Sequence, residues 1–200
     1  MTDVLVVCTL NMARSPLLER MLQHDADVRL GTGAVQVASA GTQADVGYPA
    51  ADAAQKLAAD RGLSLDDHLT RPLFYLPVDE VPLIITMSHA HRQQLMEVDE
   101  DRGSRTFLLR EMLSLLPRSN DMMMRSLPSA RSDPRERLRA VAATLHAQRP
   151  AKLKRRRADV PDPMGGKVSS FKAVGQEFDE AAATLSDVLF GSGRTEPDER

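Results

Sequence analysis

Apolar residues recur along this chain in two alternating rhythms. Short runs rich in branched side chains, Val4 to Val7, Val35 to Ser39, Leu83 to Met87 and Arg105 to Leu108, read as strands. Between and after them, apolar positions fall at intervals of three and four. That spacing predicts helices over Ser15 to Ala26, Ala50 to Arg61, His89 to Val98 and Phe171 to Leu189. In the last of these, Phe171, Val174, Phe178, Ala182, Leu185 and Leu189 make one stripe that faces a core. The alternation predicts an α/β fold of three layers, a central and mostly four-stranded parallel sheet flanked by helices. Ligands in such folds bind beyond the carboxyl ends of the strands, and the first predicted strand leads directly into Cys8.

The stretch from Pro117 to Arg157 breaks the pattern. Its first part, with Met122-Met123-Met124 between Pro117 and Pro128, has turn chemistry and no clear period. Pro134 then opens a predicted helix to about Gln148, with Leu138, Val141, Ala142 and Leu145 on one face. The end of the stretch is basic, with Arg149, Lys152, Lys154, Arg155, Arg156 and Arg157 crowded together. Such a run is read as a solvated turn, with steering of anionic substrates or docking of an acidic partner as the alternative.

Composition narrows the function classes. The chain has 200 residues, enough for one domain spanning 1–200, with 191–200 expected to be a short disordered tail. A formal charge of −2, and no aromatics among the basic residues, give no pull toward nucleic acid. A single cysteine excludes an internal disulfide and any cysteine-rich zinc site. The five histidines form no ligand pattern, since His89 and His91, two apart, face different ways on a helix; no metal and no cofactor is expected. No apolar run is long enough to span a bilayer, and the N-terminus carries acidic Asp3 and a strand in place of a signal segment, so the expected location is the cytoplasm.

The candidate chemistry lies in Cys8-Thr9-Leu10-Asn11-Met12-Ala13-Arg14-Ser15-Pro16. Five residues between the cysteine and the arginine let the backbone curl with its N–H groups inward, a cavity that suits a tetrahedral anion. A helix starting near Ser15, with Pro16 at its first position, turns its positive dipole end to that cavity. A helix N-terminus and a cation together favour a thiolate, the nucleophilic form of cysteine. Arg14 offers a planar fork for two phosphoryl oxygens, and Ser15 a hydroxyl for the sulfur. Asn11, mid-loop, is the non-glycine type that best tolerates a left-handed backbone. Breaking a phosphate ester also needs an acid for the leaving oxygen, and Asp159 and Asp162 in Asp159-Val160-Pro161-Asp162-Pro163 are both candidates.

Val6 to Pro16, with Glu19 following, resembles the signature of the low-molecular-weight protein tyrosine phosphatases. Ser39-Ala40-Gly41-Thr42 resembles the end of that family's second strand, Ile85-Thr86-Met87-Ser88 with His91 its third, and Asp159 to Pro163 its acid loop. The resemblance implies that Cys8 is the nucleophile of a cysteinyl-phosphate route, with Arg14 holding the phosphate. Asp162 is then the acid, and afterwards the base for the hydrolytic water. It implies a phosphate-binding loop of Thr9, Leu10, Asn11, Met12, Ala13 and Ser15, with Asn11 supported by Ser39 and His68. Compact family members have far fewer residues between the third strand and the acid loop, so 117–157 is read as an insertion. The implied partner is a phosphotyrosine protein, in opposition to a bacterial tyrosine kinase.

Several positions depart from the family pattern. Leu10 stands where a small residue is usual, Met164 where many members carry an aromatic, and Ala44 where another aromatic precedes the Gly47-Tyr48-Pro49 turn. The substrate lining is then expected from Met12, Tyr48 and Met164. Ala13 replaces a frequent second loop cysteine, so no protective disulfide with Cys8 can form. Two alternatives stand beside the phosphatase: an arsenate reductase coupled to a small thiol, and a phosphate-binding protein with a degenerate pocket.

Overall fold

The structure, a computed structural model, describes residues 1–116, 126–150 and 158–191. Met122 to Met124, Lys152 and Lys154 to Arg157, and all of the expected tail except Gly191 lie outside the described residues. The strands are β1 (Val4–Cys8), β2 (Val37–Gly41), β3 (Leu83–Thr86) and β4 (Thr106–Leu108). The helices are α1 (Arg14–Leu30), α2 (Asp52–Ala59), α3 (His89–Val98), α4 (Leu109–Leu115), α5 (Pro134–Ala147) and α6 (Val168–Phe190). The strands form one four-stranded sheet in the order β2-β1-β3-β4. Every pairing in it is parallel.

Burial on both sides of the sheet explains the unbroken apolar run of β1. Val4, Val6 and Cys8 face a large core shared with α1, α2, α4, α5 and α6. Leu5 and Val7 face a smaller one made with Ala38, Ala40, Ile84, Val78, Val81 and Leu95 of α3. A strand buried on both faces carries no polar alternation, which is the pattern of a parallel sheet covered by helices. α6 packs against α1, α2, α4 and α5, and its expected stripe is buried except for Phe171, which is partly covered.

Some boundaries differ from the expectation. β2 runs Val37–Gly41, two residues later than Val35 to Ser39. Ser39, Ala40 and Gly41 pair with Val6, Val7 and Cys8 and bring small residues to the loop that follows β1. α1 begins at Arg14, so Pro16 is its third residue; its missing N–H still falls in the first turn, where no intrahelical partner is lost. The same helix continues past Ala26 to Leu30 and stops at Gly31, whose φ of 95° ends the helical path. α4 was not foreseen, because it follows β4 without any turn residue.

Arg149, the first of the basic run, is not part of a solvated turn. Its Nε donates to Glu111 Oε1 at 2.6 Å, while Nη1 and Nη2 donate to the carbonyls of Gly103 and Thr106 at 2.8 and 2.7 Å. The guanidinium lies 4.4 Å from the centre of the Phe107 ring. Glu111 is fully buried, accepts from Leu108 N at 3.1 Å and has Arg92 Nη1 3.8 Å away. This cluster fastens the end of α5 to the β4 side of the domain. Removing the one carboxylate strands two cations in it, so Glu111→Ala is expected to lower stability by about 3 kcal/mol and Tm by about 10 °C. Thermal unfolding followed by circular dichroism checks this; a shift below about 2 °C would show that water solvates the cluster.

Candidate active site

The loop between β1 and α1 is held in one shape by its asparagine. Asn11, with φ of 58°, is the one non-glycine residue among those described with a left-handed backbone. Its side-chain nitrogen donates to Ser39 Oγ at 2.7 Å and to Ser15 Oγ at 2.9 Å, and its Oδ1 accepts from Arg71 N at 2.9 Å. His68 Nε2 lies 2.8 Å from the Asn11 carbonyl, which can only accept, so that nitrogen carries the hydrogen. The structure thus brings Ser39 and His68 to opposite ends of the same residue. Ser39 in turn donates to Glu19. Gly41, paired with Cys8, leaves room for the turn: a Cβ there would lie 2.5 Å from Thr9 O and 2.9 Å from Asn11 N. Any side chain at this position pushes the loop out of place.

Cys8 ends β1, buried at the base of the loop, with Sγ 3.0 Å from Ser15 Oγ. Ser15 accepts from Asn11 and has two places for its own hydrogen, the sulfur at 3.0 Å and the Ala40 carbonyl at 3.5 Å. No side chain caps α1, so its first N–H groups and its dipole are turned toward the loop. Arg14, the first residue of that helix, is 5% exposed and is held from several sides. Nη1 donates to Val160 O at 3.1 Å, Nη2 donates to Thr9 Oγ1 at 3.3 Å, and the guanidinium is ion-paired with Asp162.

The geometry separates the two acidic candidates. Asp162 pairs with Arg14 through one oxygen and accepts from Met164 N at 3.0 Å through the other; its side chain is 43% exposed. Asp159 is occupied elsewhere, with Oδ1 accepting from His89 N and meeting His89 Nδ1, each at 2.9 Å. The loop from Asp159 to Pro163 is moored beside it by Val160 N to Met87 O at 2.8 Å and by Arg110 Nη1 to Asp159 O at 2.7 Å. Glu177 of α6 holds Arg110 through paired bonds of 2.6 and 2.8 Å. Asp162, and not Asp159, shares a mouth with Cys8.

That mouth is lined by Cys8, Leu10, Met12, Arg14, Asp162 and Met164, with Ala13 behind. Tyr48, expected in the lining, is not part of it. It is 56% exposed, and its backbone exchanges hydrogen bonds with Thr70. Ala44 is buried and contributes no wall. The apolar part of the mouth is therefore aliphatic and thioether. Beside it, and sharing Arg14 and Asp162 with it, opens a groove of about 410 Å³ edged by Thr9, Gln43, His91 and Gln94.

His91, which enters the sequence analysis only as part of the third-strand resemblance, is a structural neighbour of the loop after β1. Its Nε2 is 2.9 Å from Thr9 Oγ1 and its Nδ1 is 2.9 Å from Ser88 Oγ, the residue that caps α3. The only local signal is the spacing Ser88-x-x-His91 at a helix start. Burial, with the Arg14 charge second, pushes its imidazole down to about 4, against smaller opposite effects of Asp159 and Asp162. The unfolded chain takes up this proton near pH 6.5 and the folded protein refuses it until about pH 4, so stability falls as pH drops through that window. In urea unfolding, the wild-type protein is expected to lose about 2 to 3 kcal/mol more than His91→Gln between pH 7 and pH 4.5. Equal losses would show that the folded protein protonates His91 freely.

The fold and the loop can be set beside known proteins. The sequence profile of the family described as low molecular weight phosphotyrosine protein phosphatase matches residues 3–124. The chain belongs to this family. Low molecular weight protein-tyrosine-phosphatases are phosphoric monoester hydrolases, and that is the enzyme class of this chain. A putative member from Klebsiella pneumoniae is 34% identical over 107 residues, 54% of this chain and 70% of that protein. The phosphatase Etp of Escherichia coli is 34% identical over 111 residues, 56% of this chain and 71% of its own length. Among solved structures, the YwlE arginine phosphatase from Geobacillus stearothermophilus matches with a TM-score of 0.64 at 20% identity, covering 94% of this chain and 92% of that one. Vibrio vulnificus Wzb in complex with benzylphosphonate matches at 0.61 and 22%, covering 93% and 97%. These structural likenesses establish the shared fold. Among the described residues, no helix is long and apolar enough to cross a membrane.

Proposed function

We propose that the chain is a protein tyrosine phosphatase that hydrolyses aryl phosphate monoesters through a cysteinyl-phosphate intermediate. One observation carries this reading: Cys8, Arg14 and Asp162 converge on a single mouth whose remaining wall is Leu10, Met12 and Met164. In the first step the Cys8 sulfur attacks phosphorus and forms the S–P bond while the P–O bond to the aryl group breaks. The leaving oxygen takes the proton of Asp162. Arg14 exchanges its pairing with Asp162 for two phosphoryl oxygens, and the loop N–H groups with the α1 N-terminus balance the remaining charge. In the second step water attacks phosphorus, Asp162 accepts its proton, and the S–P bond breaks to return the thiolate, eased by the Ser15 hydroxyl.

The apolar wall favours a flat carbon group over a charged one. The complex of Wzb with benzylphosphonate, an aromatic group next to phosphorus, supports the same choice for a relative of this fold. The partner is then a tyrosine-phosphorylated protein, opposed by a bacterial tyrosine kinase, and the reaction takes place in the cytoplasm. Residues 1–200 make one catalytic domain with an insertion at 117–157, a reading supported by the burial of Leu138, Val141, Ala142 and Leu145 of α5 in the main core.

Turnover of para-nitrophenyl phosphate and a phosphotyrosine peptide by the full chain, against a phosphoarginine peptide under the same conditions, tests the reading. The aryl esters are expected to be preferred by at least about tenfold in kcat/KM, the worth of about 1.4 kcal/mol of apolar contact. Preference for phosphoarginine would overturn the substrate class. Absence of turnover with inorganic phosphate still bound would overturn the phosphatase and leave a binding protein.

A further inference from the structure

We propose that His91 is a positioning residue for the phosphate-holding arginine, acting through the hydroxyl of Thr9. The inference rests on the phosphatase reading for its purpose, but its geometry stands alone. Arg14 Nη2 donates to Thr9 Oγ1 at 3.3 Å, and the same oxygen lies 2.9 Å from His91 Nε2. A guanidinium only donates, so Thr9 accepts from Arg14; in the proposed chain it turns its own hydrogen to His91. Nε2 is then the bare nitrogen. Nδ1 carries the hydrogen and donates to Ser88 Oγ at 2.9 Å. Ser88 is itself fixed by its place at the start of α3.

The result is a directed chain from Arg14 to Thr9 to His91 to Ser88. It ties the first residue of α1 to the start of α3, across the carboxyl ends of β1 and β3. His91 is 4% exposed, which raises the cost of leaving either of its nitrogens unpaired.

The chain matters because Arg14 must change partners when phosphate arrives. Asp162 leaves the guanidinium to serve as acid, and phosphoryl oxygens take its place. Val160 O and Thr9 Oγ1 do not compete with those oxygens and keep the plane of the fork. Preorganised donors contribute more than donors that must first be ordered. The charged groups facing His91 are Arg14 of α1 and Asp159 and Asp162 of the acid loop. Thr9 is the member that makes the link, since a residue without a hydroxyl at this position leaves Nε2 without its partner and Nη2 with Asp162 alone.

A double-mutant cycle on the affinity for inorganic phosphate, measured by calorimetry on the full chain, tests this. Thr9→Val and His91→Leu are each expected to weaken phosphate binding about tenfold, and the double variant to do no worse than about tenfold. Thr9→Ser, which keeps the hydroxyl, is expected to recover most of the affinity that Thr9→Val loses. Losses that multiply to about a hundredfold, or Thr9→Val binding phosphate as wild type does, would overturn the proposal. Should His91→Leu fail to fold, the contrast of Thr9→Val with Thr9→Ser decides it alone. The cycle also separates the two readings. Wild-type turnover with a multiplicative cycle overturns the positioning role and leaves the phosphatase. A coupled cycle in a protein that binds phosphate without hydrolysing aryl esters overturns the phosphatase and keeps the role. Failure of the wild-type chain to bind phosphate overturns both.

Discussion

Cys8→Ser is expected to lower kcat/KM for para-nitrophenyl phosphate by at least about 10⁴-fold. The hydroxyl of a serine at this place has no general base to activate it. Sγ is hydrogen-bonded to Ser15 Oγ at 3.0 Å, itself a hydroxyl that accepts from Asn11. Phosphate binding depends on the loop N–H groups and Arg14, so the variant is expected to bind inorganic phosphate within about threefold of wild type. The combination of lost chemistry and retained binding identifies a nucleophile. Loss of both would instead indicate a collapsed loop, and residual turnover above about one part in a hundred would mean that water attacks the ester directly.

Asp162→Asn is expected to reduce kcat by about 10² to 10³-fold. Its effect is to depend on the leaving group. Phenyl phosphate, whose alcohol needs the proton badly, should suffer more than para-nitrophenyl phosphate, whose phenolate leaves readily. Asparagine can still accept from Met164 N and keep the turn, so the loop has no reason to unfold. Binding of phosphate should not weaken and is expected to tighten a few-fold, because Arg14 loses the carboxylate that holds it at rest. Equal rate losses for the two esters would remove Asp162 from the proton-transfer step. In that event Asp159 does not inherit the role, since its carboxylate is held by His89 at the start of α3.

How much of this was legible in the sequence follows from the range of each interaction. The strand, the loop and the helix around Cys8 are consecutive, so spacing alone carries the nucleophile and the arginine. Asn11 was legible as well, because a left-handed position in a curled loop selects its residue type. The partners of Asn11, Ser39 and His68, came through family resemblance, since no local pattern links residues so far apart. Between Asp159 and Asp162 the chain offers two carboxylates of similar surroundings; family resemblance selects Asp162, and the packing of α3 against this loop separates the two in space.

The unforeseen parts are tertiary. Arg149 looked like one charge in a basic run, yet its partner Glu111 lies 38 residues away on a helix that no turn residue announced. The family resemblance includes His91 in the third-strand motif but assigns it no contact, because its link to Thr9 spans 82 residues and depends on the order of β1 and β3 in the sheet. Tyr48 was assigned to the mouth by proximity in sequence. Its backbone pairing with Thr70 places it outside the residues that line Cys8.

The most direct test of the central claim is to look for the intermediate. The Asp162→Asn protein lacks the base that clears the phosphoenzyme, so it is mixed with para-nitrophenyl phosphate, quenched while turning over, digested and read by mass spectrometry. The account predicts one phosphoryl group on the peptide that carries Cys8, absent when the substrate is omitted. Turnover with that peptide unmodified, or with the phosphoryl group on another residue, would contradict it.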